Sequence, residues 1–117
     1  MRAQEFTVDQ EKIVFPNVFP DGDLKITGHF RYDRADRNII PEMTKNMCKR
    51  FVRQYRNVIP EIEDNESFII QNPNGVRLAI LKNEQYNQPR RYTYLVKTGM
   101  QDLHLSRWRK ERVFKIS

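Results

Sequence analysis

The chain has one cysteine, Cys48, and two histidines, His29 and His104. A lone cysteine closes no intrachain disulfide, which fits a reducing compartment. One thiol and two imidazoles also fall short of the common tetrahedral zinc sets unless carboxylates join them. No metal and no other cofactor is expected. Cys48 sits among core-like residues and reads as a small buried hydrophobe. No apolar run approaches the ~20 residues of a membrane span. The opening Met1-Arg2-Ala3-Gln4-Glu5 lacks a signal peptide's apolar region. The expectation is a cytoplasmic protein with no membrane partner, in the host cytoplasm if it is viral. No Gly-rich phosphate loop is present, which argues against nucleotide hydrolysis. No serine or cysteine has the setting of an activated nucleophile.

What the chain has in excess is positive charge. Twenty-one Lys and Arg against fifteen Asp and Glu give a formal charge of +6 and a pI of about 9.7. Cations in excess favour polyanions through counterion release; a solvated basic surface that keeps the protein soluble is the alternative. The 117 residues, 38% hydrophobic and 11% aromatic, suffice for a single domain with one modest core.

Residues 1–23 read as an N-terminal extension or edge strand. Lys12-Ile13-Val14-Phe15 is a candidate short strand, Pro16 and Pro20 bracket an apolar turn, and Pro20-Asp21-Gly22-Asp23 is a turn signal. Helices are expected over residues 24–57. Leu24-Lys25-Ile26-Thr27 is either a short strand or the lead into the first of them, Thr27 is a candidate N-cap, and residues 28–38 read as a short helix. Pro41 suits the first turn of a second. Met43, Met47, Phe51 and Tyr55 then recur every four residues, with Cys48 and Val52 widening the stripe. Lys45, Lys49, Arg50, Arg53 and Arg56 take the other faces. The pattern predicts an amphipathic helix over 41–56.

Asn57 to Glu66 is an acidic loop, better read as solvated than as a carboxylate metal site. The period then becomes strand-like. Ser67–Gln71 and Val76–Lys82 flank the turn Asn72-Pro73-Asn74-Gly75, and Arg91–Thr98 follows a looser turn. Val113–Ile116 is a candidate fourth strand. Residues 67–117 thus read as an antiparallel meander with a basic tail. The expected class is α+β: two N-terminal helices packed on a three- to four-stranded antiparallel sheet.

The segment His29-Phe30-Arg31-Tyr32-Asp33-Arg34-Ala35-Asp36-Arg37-Asn38-Ile39 places the side chain with a near-neutral pKa among fixed cations. On a helix His29 and Arg37 share a face two turns apart. The plain alternative is a charged surface helix with an Asp33–Arg37 pair. His29 followed by Arg37-Asn38-Ile39, a second helix, the hairpin Phe68–Lys82 and the element Val96-Lys97-Thr98 resemble a family of small ribonucleases and toxin-like domains. These are the RelE-like and RegB-like phage or toxin endoribonucleases, of the barnase–EndoU–colicin–RelE type. The resemblance covers roughly residues 24–100. It implies a RelE-like fold and metal-independent cleavage of single-stranded RNA or mRNA, ribosome-bound mRNA included, by 2′-OH attack.

Such chemistry needs a base, an acid and cations on the phosphoryl oxygens. His29 can serve as base or acid, Arg34 and Arg37 as the phosphate clamp, and His104 as the proton partner, unless it is an exposed loop histidine. Further RNA contacts are expected from Arg31, Arg77, Lys82, Arg91, Tyr92, Tyr94, Trp108 and Arg109, which pair charge with aromatic faces. Tyr92 and Tyr94 share one strand face, and that face is either core or RNA-facing. Trp108 either stacks on a base or closes the core. The second reading from a different class is a basic RNA- or ribosome-binding regulator without catalysis; a host-takeover factor with a protein partner or inhibitor is the third.

Overall fold

The computed structural model describes residues 13–26, 41–101 and 110–117. Strands β1 (Ile13–Phe19), β2 (Gly22–Ile26), β3 (Ser67–Gln71), β4 (Val76–Gln85), β5 (Gln88–Gln101) and β6 (Arg112–Lys115) form one six-stranded sheet in the order β1-β2-β5-β4-β3-β6. Among the described residues there is one α-helix, α1 (Pro41–Gln54), and a short 3-10 turn, Ile59–Glu61. No helix among them is long and apolar enough to cross a membrane.

This corrects the expected class. The sheet has six strands and is mixed, so the RelE-like arrangement of two N-terminal helices on a small antiparallel sheet is overturned. The described chain opens instead with a hairpin: β1 pairs antiparallel with β2, and β2 pairs parallel with β5. Leu24–Ile26 is therefore sheet, not a lead into a helix. The helix expected over 28–38 lies outside the described residues. At the far edge β6 joins β3 in parallel rather than extending the meander. Both parallel pairings join segments far apart in the chain, and periodicity within a segment carries no information about its neighbour.

Local signals fared better where the forces are local. The Asn72–Gly75 turn forms between β3 and β4, where Asn72 Oδ1 accepts the N–H groups of Asn74 and Val76 at 2.9 Å each. Gly75 has a φ of 90°, which favours glycine. The looser turn expected between Lys82 and Arg91 is largely strand. β4 and β5 run on until Gln85 pairs with Gln88, leaving Tyr86 and Asn87 at a tight tip. The turn expected between Pro16 and Pro20 is a register shift within β1, with Asn17 at a φ of 62°. At Gly22 the sheet closes tightly, and a Cβ there would overlap the Tyr92 carbonyl.

The helix packs on one sheet face. Leu24, Ile26, Phe68, Ile70, Leu78, Ile80, Tyr94 and Val96 point to it, and Met47, Cys48 and Phe51 of α1 meet them. Phe51 is fully buried, stacked on Phe68 and Tyr55 with both centroids at 5.4 Å. The expected stripe holds in outline: Met47 and Phe51 are buried, while Met43 and Tyr55 are half-buried against the core. Tyr55 lies just past the helix, and its hydroxyl donates to the Lys115 carbonyl at 2.7 Å, tying that end to β6. Ile69 and Ala79 on the opposite sheet face are fully buried as well.

Candidate nucleic-acid interface

The two histidines are outside the described residues, as are Arg31, Arg34, Arg37, Trp108 and Arg109. Five of the residues singled out in the sequence are described, and they divide into two groups.

Lys82, Tyr92 and Tyr94 come together inside the fold. Lys82 is 2% exposed, and its Nζ donates to the carbonyls of Ile59 at 3.0 Å and Ile62 at 2.8 Å. It lies 3.4 Å from Asp21 Oδ2 and 4.3 Å from the Tyr92 ring centroid. Tyr94 is fully buried, stacked on Phe19 at 3.7 Å, and its hydroxyl donates to Asp21 Oδ1 at 2.8 Å. Burial, and then the Asp21 carboxylate, push the Tyr94 pKa up, so the phenol stays protonated. Of the alternatives open for the Tyr92/Tyr94 face, the structure takes the core one. The face was legible from strand alternation; which side the helix would cover was not.

Arg91 and Arg77 lie on the face away from α1. Arg91 donates to Asp23 Oδ1 at 2.6 Å and to Asn17 Oδ1. Burial raises the Asp23 pKa, but the Asn17 N–H, the Gln85 amide and Arg91 outweigh it and hold the carboxyl below its ordinary value. Arg77 is half-buried, its Nε donating to Gln71 Oε1 at 3.0 Å. Neither arginine shares a surface with Lys82.

Two carboxylates of the acidic loop are engaged within the fold. Glu66 pairs with Arg112 at 3.1 Å, and Asp64 Oδ1 accepts the Glu84 N–H at 2.7 Å. Cys48 is wholly buried, and burial raises its thiol pKa, which removes it as a nucleophile.

What remains is the outer face of α1. At about 100° per residue, Lys49 and Arg53 lie opposite Phe51, with Arg50 beside them, and Arg56 follows in the turn just past the helix. All four are exposed, and none has an ion pair or hydrogen bond to another described residue. Lys45, one turn earlier, is different: it pairs with Glu42 at 3.0 Å and lies over the Phe15 ring. Clefts flank the stripe. One of about 340 Å³ is lined by Arg50 with Asn46, Met47 and Asn72. Another of about 470 Å³ is lined by Arg56 with Pro20, Asp21 and Ile59. These helix cations were visible in the sequence, which sets five cations against the single carboxylate Glu42 across residues 41–56. Counting carboxylate partners along the helix was the signal that would have found them. Tyr86, 98% exposed at the β4–β5 tip, is a further surface feature, one that the sequence pattern did not single out.

No family model matches the chain, and neither the curated proteins nor the solved structures that were searched give a match.

Proposed function

We propose that this protein binds single-stranded RNA through the outer face of α1. The observation that carries the reading is the set Lys49, Arg50 and Arg53 on α1 with Arg56 in the turn just past it, exposed and without carboxylate partners among the described residues. Like charges three and four apart on a helix repel by about 0.2–0.5 kcal/mol per pair. The helix dipole offsets part of this near Arg53 only. A phosphate chain turns the repulsion into attraction, and guanidinium groups bind phosphate in bidentate fashion. The stripe is only about one helical turn plus Arg56, and clefts adjoin it at Arg50 and Arg56. That suits a short flexible strand better than a duplex.

Cleavage is a separate matter. The endoribonuclease expected from His29, Arg34, Arg37 and His104 rests on residues outside those described, and the RelE-like fold that accompanied it has been replaced. Binding is therefore the reading supported by the described geometry, and cleavage enters as an outcome of its test.

The test is fluorescence anisotropy of labelled single-stranded RNA in EDTA, at 50 and 200 mM salt. Four phosphate contacts on a single strand predict a salt slope near −2.8, which is about a 50-fold loss of affinity across that range. The Arg50→Glu/Arg53→Glu variant should lose most of the affinity at unchanged thermal midpoint. Salt-independent binding, or a charge-reversed variant that binds like wild type, overturns the reading. Equal affinity for heparin reduces it to a general polyanion surface. Discrete RNA fragments in EDTA that vanish with His29→Ala would add the endonuclease activity to it.

A further inference from the structure

Asn72, in the β3–β4 turn, is 5% exposed. Its Oδ1 is committed to two backbone N–H groups, which also fixes which atom of the amide is oxygen. The Nδ2 group is left with two N–H donors, and its hydrogen-bond partner is the Met47 thioether at 3.8 Å, a weak acceptor. A buried donor this poorly satisfied is unusual. It lines the 340 Å³ cleft at the Arg50 end of the basic stripe. Met43 and Met47 provide apolar, polarizable walls there, and Asn46, exposed and without a partner among the described residues, supplies a second amide.

We propose that this cleft takes one unpaired keto base, uracil or guanine, of the strand whose phosphates lie on α1. The inference rests on the RNA-binding reading above. The base lies flat against the methionines, and its keto oxygen accepts from Asn72 Nδ2. The adjacent ring N–H donates to Asn46 Oδ1 or to the Glu42 carboxylate, which also lines the cleft. A keto oxygen beside an N–H is the edge that guanine and uracil share. Adenine and cytosine present an amino donor beside an unprotonated ring nitrogen, which sets donor against donor at Asn72. Arg50 at the rim is placed for the phosphate of the same nucleotide.

The experiment compares labelled U10, C10 and A10 by anisotropy at fixed low salt in EDTA. A bidentate base contact is worth about 5- to 160-fold in discrimination, so wild type should hold U10 at least fivefold more tightly than C10 or A10. Asn72→Asp retains the acceptor that holds the turn and replaces the donors with an acceptor, and it should bring the U10/C10 ratio to one or below. Asn46→Ala, which does not touch the turn, should reduce the same ratio. Arg53→Glu should weaken binding of all three oligomers and leave the ratio in place. Wild type that binds all three within twofold overturns this inference alone, and so does a ratio that survives both Asn72→Asp and Asn46→Ala. Wild type that binds none of them overturns the RNA reading and this inference with it.

Discussion

Two sets of cations in this protein have opposite fates. Lys82 at one end of the sheet is almost fully buried; its ammonium joins two loop carbonyls, lies near Asp21 and rests over Tyr92. It pins the 3-10 turn at residues 59–61 to β4. Lys49, Arg50 and Arg53 on α1, and Arg56 just past it, hold nothing among the described residues. Each of these side chains counts equally toward the net charge of +6. Their difference teaches that a charge sum indicates a kind of partner, whereas internal pairing shows which surface is left for it. Aromatic rings beside a basic residue mislead in the same way. Tyr92 and Tyr94 look like stacking platforms, yet with Lys82 they form a polar corner of the core.

The contrast can be broken in four ways. The largest effect belongs to the inner face of the same helix: Phe51→Ala should cost about 3–5 kcal/mol in urea unfolding, because Phe51 is fully buried among aromatic rings. A loss below about 1 kcal/mol would mean that α1 does not pack as described. Lys82→Ala comes next, at about 3 kcal/mol, since it strands Asp21 and two carbonyls without their cation. If Lys82→Ala unfolds like wild type, the lysine is a surface residue after all and the comparison collapses. On the outer face of α1 the matched change should be nearly silent in stability. Lys49→Ala is expected within about 0.5 kcal/mol of wild type by the same urea titration, while lowering the salt slope of RNA binding by about 0.7.

The smallest effect is a pH dependence. The folded-state pKa of Asp23 lies below its unfolded value through Asn17, Gln85 and Arg91. Its contribution is therefore present above about pH 4 and fades as the pH falls through the folded value. Thermal midpoints between pH 6 and pH 3 should drop less steeply for Asp23→Asn than for wild type. Parallel curves would show that the Arg91–Asp23 pair adds nothing to the fold.

The sequence determined those features whose causes lie within a few residues. Four-residue apolar spacing placed α1 and oriented Phe51 inward. Asn72 and Gly75 fixed a turn through their own backbone chemistry. Alternation put Tyr92, Tyr94 and Val96 on one strand face. The partners of that face, the parallel pairings of β2 with β5 and β3 with β6, and the burial of Lys82 were decided only by the tertiary structure. Each joins segments tens of residues apart, as between Asp21 and Lys82, and strand periodicity is the same whichever neighbour supplies the hydrogen bonds. The candidate site divides along the same line. The five cations against one carboxylate of residues 41–56 are written in the sequence, but their availability depends on where the carboxylates of the folded chain lie. Asp21, Asp23 and Glu66 face other cations, and Coulomb attraction screened over about 8–10 Å by salt acts only between groups that the fold has brought close.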